Sequence, residues 1–311
     1  MLSRNNIRIK VLQTLYAQSV KEDNTAVAER NYLKAVQESY RLYLLSVHYV
    51  TQIAFFSRKD YEIKSNKFVP TEMDKKASRK LYENPVVAAI RENEAFQKLI
   101  KKEGILQMVD QDTVRRLFKK FTAEEYYEGY REMENTPIRE HQYALVRLYM
   151  CMREDEVFME QMTDYFPTWP DDESLIYGAI KRSLRSLPDD KEFFLSQKPN
   201  PEFVEDLGKE LLYLVLRKEE HLTELIAGRL NNWQEDRVAV IDMTLMKMGL
   251  CEFLYFPTIP TKVTINEYVN LAKTYSTDKS KRFINGILDR LMQELQKEGR
   301  INKEGRGLLD K

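Results

Sequence analysis

Cysteine, histidine, glycine and proline are all scarce in this chain, and net charge is absent. Cys151 and Cys251 are the only thiols. Each lies in an apolar helical run and reads as a small core residue rather than half of a disulfide or redox pair. The three histidines, His48, His141 and His221, stand apart from one another and from any cysteine pair, so no zinc-ligand spacing exists and no metal is expected. His48 falls in an apolar helix and reads as a core or boundary residue. Glycine-rich phosphate loops are missing, as is the strand and helix alternation that they need, so no cofactor is expected. Carboxylates are plentiful, but their spacing selects no acid/base pair, and a noncatalytic protein is the reading. The 49 basic residues balance 49 acidic ones. Any contact with nucleic acid must therefore come from a local patch. No apolar run approaches about 18 residues, and the first twenty residues lack the hydrophobic stretch of a secretory leader, so a cytoplasmic protein without membrane contact is expected.

What remains is helix. At 311 residues and 43% hydrophobic, the chain can bury one large helical core or two smaller ones. Ser3 can cap a first helix running to about Ser19, with Ile7, Val11, Leu12, Leu15 and Tyr16 on its apolar side. Asn24 to about Arg58 reads as a second, long helix, and Tyr61 to Lys76, which contains Pro70, as a loop. Helix resumes near Ser78. Asn84-Pro85 then marks a start that should run to about Gly104, followed by a short helix over Gln111–Phe121. The last third, Trp233 to Leu295, reads as three amphipathic helices: Asp236–Phe256, Val263–Tyr275, and one from about Ser280 carrying Phe283, Ile284, Ile287, Leu288 and Leu291. Helices joined so closely should form the principal core.

An offset of 64 positions superposes Leu148 on Leu212, Tyr149 on Tyr213, Arg153 on Arg217, Glu156 on Glu220, Trp169 on Trp233 and Asp172 on Asp236. Apolar positions follow it too: Phe158 with Leu222, Met162 with Ile226, Phe166 with Leu230, Ile176 with Val240. Two accounts fit: an internal duplication, favoured by the paired tryptophan turns, or the shared residue usage of amphipathic helices. Pro188 to Pro201 would link the copies.

Basic residues gather in three places. Arg115, Arg116, Lys119 and Lys120 are followed at once by glutamates and suit a solvated face. Arg4, Arg8 and Lys10 precede any acidic residue, and Lys279, Lys281 and Arg282 lie at a helix start. If the first and last helices pack together, they make a composite surface able to hold phosphates of single-stranded RNA; a plain solvated helix end is the other reading.

Two separated stretches, about Leu2–Gln18 and Phe203–Leu291, resemble the NusB family of transcription antitermination proteins. The first contains RNNIRIKVLQTLY (Arg4–Tyr16); the second contains IPTKVTINE (Ile259–Glu267), LAK (Leu271–Lys273) and KRFINGILD (Lys281–Asp289). The resemblance implies an all-α, NusB-like bundle extended by an auxiliary helical block. With the repeat and the Pro188–Pro201 linker, the chain divides into a first helix (1–20), an auxiliary region with a partial repeat (21–198), a principal NusB-like domain (199–297) and a polar tail (298–311). The resemblance also implies a noncatalytic, RNA-binding factor that joins a NusE-type ribosomal protein on boxA-like RNA and acts within the RNA polymerase antitermination complex during ribosomal RNA transcription. The alternative is a scaffold for ribosomal RNA maturation or ribosome assembly. On this resemblance Arg4, Arg8 and Lys10 become RNA contacts, with Lys279, Lys281 and Arg282 on the adjoining surface. Gln13, Tyr16, Asn266, Glu267, Phe283, Asn285 and Gly286 match motif positions with packing roles, and Asn266 or Glu267 should orient the neighbouring joint. The chain departs from the pattern at Asn5, which thins the arginine cluster, at the larger Ile7 and Val11, and in residues of about 20 to 200, which have no match in the usual short protein.

Overall fold

The computed structural model describes residues 1–21, 24–230 and 238–309, and every regular element among them is helical. Helix α1 (Arg4–Lys21) begins where Ser3 Oγ accepts the amide of Asn6 at 3.3 Å. Asn24 likewise caps α2 (Thr25–Ser65) through the amide of Val27 at 3.0 Å. This helix outruns the expected end at Arg58. Its last turns are supported by Arg58–Glu62 and Lys64–Asp60 pairs, each at 2.7 Å and four residues apart, a spacing that stabilises an exposed helix without apolar periodicity. A turn then leads to the single-turn α3 (Glu72–Lys75).

The helix expected from Asn84 to Gly104 is two. Asn84 caps α4 (Pro85–Glu92), and Asn93 ends it and caps α5 (Glu94–Lys102), its side chain accepting the amide of Phe96 at 2.9 Å. A second capping asparagine inside one apolar pattern breaks the helix while keeping both halves on the core. There follow α6 (Gln111–Thr122), α7 (Glu125–Glu132), α8 (Ile138–Arg153), α9 (Glu156–Tyr165), α10 (Trp169–Ser186), a widened turn at Phe203–Lys209, α11 (Glu210–Arg217), α12 (Glu219–Ala227), α13 (Val240–Tyr255), α14 (Thr261–Tyr275) and α15 (Asp278–Lys297). Of the expected last third, Trp233 and Asp236 lie outside the described residues.

The described residues divide into two compact units: an auxiliary unit of Met1 and Gln37–Lys198, and a principal unit of Leu2–Val36 and Pro199–Lys311. In the auxiliary unit the fully buried Trp169, Tyr43, Tyr49 and Tyr149 fill the core. Their hydroxyls and neighbours are satisfied by neutral or single-carboxylate partners: Tyr43 Oη lies 2.7 Å from Ser183 Oγ, and Ser39 Oγ donates to Asp172 Oδ2 at 2.8 Å. The His48 imidazole is buried with no hydrogen-bonding partner among the described residues, and burial pushes it down to about 4.

In the principal unit, Gly208 in the widened turn lets the backbone meet Tyr32. A Cβ there would stand 1.9 Å from Tyr32 Oη, which donates to Val204 O at 2.9 Å. The segment expected as a polar tail turns back onto α13. Lys303 Nζ donates to the carbonyls of Glu252 at 3.1 Å and Phe256 at 2.8 Å, a cation on the free carbonyls of a helix C-terminus.

The offset of 64 is visible in the helix ends. Helix α8 stops at Arg153 and α11 at Arg217, and short helices follow each, starting at Glu156 and Glu219. Leu148 and Leu212, Phe158 and Leu222, and Met162 and Ile226 are buried in both copies, whereas Tyr149 and Ile176 are buried and Tyr213 and Val240 are exposed.

Two outcomes follow from these cores. Gly208→Ala forces Tyr32 aside and should lower stability by about 1–3 kcal/mol, the cost of overpacking, read as a fall in Tm. His48 binds its proton more weakly folded than unfolded, so its contribution is complete above the unfolded value of about 6.5. The contribution falls by about 3 kcal/mol as pH drops to about 4. Denaturation series of the protein and of His48→Leu across that range should show the steeper loss in the unsubstituted chain.

Candidate nucleic-acid interface

The expected RNA surface begins at α1, and the structure separates its residues into two kinds. Arg4 is half-exposed; its guanidinium lies 3.7 Å from Glu202 and stacks over the Phe203 ring at 4.9 Å. Arg8, one turn on, is 2% exposed. Its Nε donates to Glu252 Oε1 at 2.7 Å and its Nη2 to Glu252 Oε2 at 3.0 Å, while Nη1 reaches Glu267 Oε2 at 3.4 Å. Lys10 is fully buried. Arg8 and Lys10 therefore belong to the interior of the principal unit, because helix α1 turns the Ile7–Arg8–Val11 side, and not the reverse, toward α13.

Glu252 was not legible as a site residue, although a carboxylate within Leu250-Cys251-Glu252-Phe253-Leu254 was a signal. It is fully buried on α13 and also accepts from Tyr268 Oη at 2.7 Å and Thr264 Oγ1 at 3.1 Å, both on α14. Four donors thus saturate one carboxylate, which is the condition under which a buried charge is tolerated. Burial works against the charge of Arg8, but Glu252 more than offsets it and holds the guanidinium above its ordinary value. Burial, then Glu252, likewise raise the phenol of Tyr268 and the thiol of Cys251 far above their usual ranges. Cys251 is an inert core thiol as expected. Of the motif residues on α14, Glu267 joins this network and ties the helix to α1, whereas Asn266 is exposed.

The other basic group stands in water. Thr277 caps α15, its Oγ1 accepting the amide of Ser280 at 3.1 Å. Lys279 and Arg282 are then exposed and Lys281 half-buried. None of the three side chains has a hydrogen bond or ion pair with a described residue. Asn285 and Gly286 are exposed on the same helix, Phe283 is half-buried, and Ile284 and Leu288 point inward. On α1, Gln13 is half-buried and Tyr16 exposed. The α6 cations are engaged in their own unit, Arg116 with Asp155 at 2.8 Å and Arg115 with Asp112 at 3.3 Å, as the solvated-face reading expects. Among the described residues no group of histidine, cysteine and carboxylate side chains could hold a metal ion.

Comparison with known proteins converges on the same part of the chain. A family model described as the NusB family matches residues 176–293. The chain is similar to the transcription antitermination protein NusB of Chloroherpeton thalassium, 48% identical over 85 residues, which are 27% of this chain and 40% of that protein. It is similar to NusB of Salinibacter ruber, 38% identical over 104 residues (33% and 65%), and of Desulfatibacillum aliphaticivorans, 34% identical over 113 residues (36% and 79%). It thus spans less than two thirds of the first two relatives. A solved structure of T. maritima NusB is 30% identical over 34% of this chain and 76% of that one, with a TM-score of 0.30. Most of the auxiliary unit lies before residue 176, as an extra helical region beyond the matched domain.

The buried pair makes a quantitative expectation. Arg8→Met or Glu252→Leu strands a charge in the core and should each cost about 3–5 kcal/mol, while the two together should cost far less than their sum. Urea denaturation of the four proteins checks it; additive losses would mean that the two side chains are not coupled.

Proposed function

The chain belongs to the NusB family, and from that premise we propose that it is a noncatalytic transcription antitermination factor. In this reading it binds boxA-like single-stranded RNA together with a NusE-type ribosomal protein and supports ribosomal RNA transcription within an RNA polymerase antitermination complex in the cytoplasm. No described helix is long and apolar enough to cross a membrane. The observation that carries the reading is the cluster of Lys279, Lys281 and Arg282 on α15, three cations without a described protein partner, on the segment that matches relatives named for antitermination. Unpaired cations at a capped helix start suit RNA phosphates, because the counterions that they release drive binding. Arg4, on α1, is a separate exposed cation whose surface contact with Glu202 is weak enough to exchange for phosphate. Arg8 and Lys10 serve instead by holding α1 in place. Asn5 and the burial of Arg8 leave α1 with few surface cations, and this favours as second reading a ribosomal RNA maturation or assembly scaffold of weaker RNA affinity.

A triple variant, Lys279→Ala with Lys281→Ala and Arg282→Ala, should keep the fold and lose affinity for boxA RNA. The dependence of log K on log salt should flatten by about 0.7 for each phosphate contact removed. Binding titrations at several salt concentrations, with and without the NusE-type protein, check this; an unchanged slope would place the RNA elsewhere. Terminator read-through measured with the same proteins separates the two readings, because the scaffold alone binds RNA without changing read-through.

A further inference from the structure

The auxiliary unit holds a cavity of about 360 Å³ between α2, the α4–α5 corner and the single turn at Leu106–Met108. One wall is a stripe of α2, His48, Gln52 and Phe55, at the spacing of a helix face. The others are Arg91 at the end of α4, Gln97 on α5, and Leu106. Several of these side chains are not spent on the fold. The His48 ring is 7% exposed and has no hydrogen bond with a described residue, and neither has the Gln52 amide. Burial keeps the imidazole neutral near pH 7, with one N–H to donate. Thr51 also faces the cavity, but its hydroxyl donates to His48 O at 2.7 Å and is used up by its own helix. Arg91 Nη2 donates to Glu92 Oε1 at 2.8 Å, whereas Nη1 is buried with no hydrogen-bonding partner. Buried donors without an acceptor cost free energy that an acceptor entering the cavity would recover.

Charge narrows the ligand. Arg91 is the one charged residue among the described residues that line the cavity, and no carboxylate lines it. A cation or a zwitterion would therefore enter without a counter-charge. Glu92, its side chain 70% exposed, already shares the guanidinium, which leaves too little charge for a dianion such as a phosphate ester. A single carboxylate suits what remains, since it accepts a charge-assisted bond with one oxygen and a neutral one with the other. Phe55 and Leu106 supply apolar contact. Tyr82 fixes the geometry: its ring meets Phe55 edge to face with centroids 5.4 Å apart and carries the Arg91 guanidinium at 4.8 Å. The apolar and the charged side of the cavity thus share one support, which spares ordering cost on binding.

We propose that this cavity binds a small monocarboxylate with an apolar body, its carboxylate accepting from Arg91 and from the N–H of His48, and its body lying on Phe55 and Leu106. Such a site has the common plan of ligand pockets, in which a few convergent polar groups orient an apolar molecule. Its residues, from His48 to Leu106, all precede the family-matched segment that starts at residue 176, so it stands or falls apart from the antitermination reading.

The test titrates the purified full chain with benzoate, and in parallel with neutral benzamide and with inorganic phosphate. The chain has three histidines, so their ring signals are separable by NMR, and His48→Gln assigns the one in question. The expected result is a saturable movement of the His48 signal with benzoate while His141 and His221 stay still, together with a rise in Tm, because the ligand binds the folded state. Arg91→Gln should weaken binding about tenfold or more. Leu106→Glu should do the same by setting a negative charge beside the carboxylate, and Leu106 is 40% exposed, so this second variant keeps the fold even where Arg91→Gln lowers Tm. Benzoate binding unchanged in either variant that stays folded overturns the site. So does phosphate or benzamide binding as tightly as benzoate, or movement of all three histidine signals together. The absence of any saturable movement overturns it too, and would leave the cavity to ordered water.

Discussion

The principal unit depends on one buried ion pair. Arg8 and Glu252 are 244 residues apart in sequence, so neither can be satisfied until the last third of the chain has folded around the first helix. A guanidinium and a carboxylate taken out of water are stabilising only if nearly every donor and lone pair finds a partner. Here Tyr268, Thr264 and Glu267 supply what the pair itself leaves open. The requirement fixes α1, α13 and α14 against one another more stringently than apolar packing would, because a slide of one helical turn would strand a charge. Everything that the unit presents at its surface, including Arg4 on α1 and the cations at the start of α15, inherits its position from that constraint or from helices packed directly on it.

The auxiliary unit answers the same packing problem differently. Its helix α8 ends 64 residues before α11, and α9 begins 63 residues before α12, yet its core holds hydroxyl hydrogen bonds, Tyr43 with Ser183 and Ser39 with Asp172. A neutral hydroxyl pair such as Tyr43 with Ser183 has far less desolvation cost than a buried ion pair. The copies differ most where their surroundings differ: Tyr149 is core and its counterpart Tyr213 is surface. The exposed turn after α2, with Phe68 and Val69 at the surface, lies outside the segments that the offset relates. That turn has no basis in helix periodicity. Thr71 and Asp74 close a capping box on each other at its far end, and Phe68 and Val69, between that box and α2, stay exposed.

Periodicity and capping residues carried most of the architecture. Ser3, Asn24 and Asn84 stand at helix starts where short polar side chains before apolar patterns predict them, and the Gln111–Thr122 helix was legible to within a residue. Two errors had local causes. Asn93 looks like a solvent-facing residue within one continuous pattern, and only its hydrogen bond to Phe96 reveals a break; the last turns of α2 lack periodicity and are held by ion pairs that a loop could also contain. The site was less legible. Arg4 and Arg8 are equally basic in sequence, and helical spacing alone does not say which of two arginines one turn apart faces inward. The decisive residue was the partner: a glutamate in the apolar run of α13 demands a cation. Reading that demand first would have removed Arg8 from the surface.

This division matters for how charge is used. A cation that is already saturated offers nothing to a phosphate, since breaking its ion pair would cost more than a screened contact returns. In the proposed assembly, the charge left for RNA is therefore smaller than the arginine and lysine count near α1 implies, and Lys279, Lys281 and Arg282 carry most of it. A surface built on unpaired lysines recognises backbone charge more than base identity. Sequence preference, in the proposed assembly, then has to come from neutral groups, and on α15 itself the exposed Asn285 can hydrogen-bond with an unpaired base.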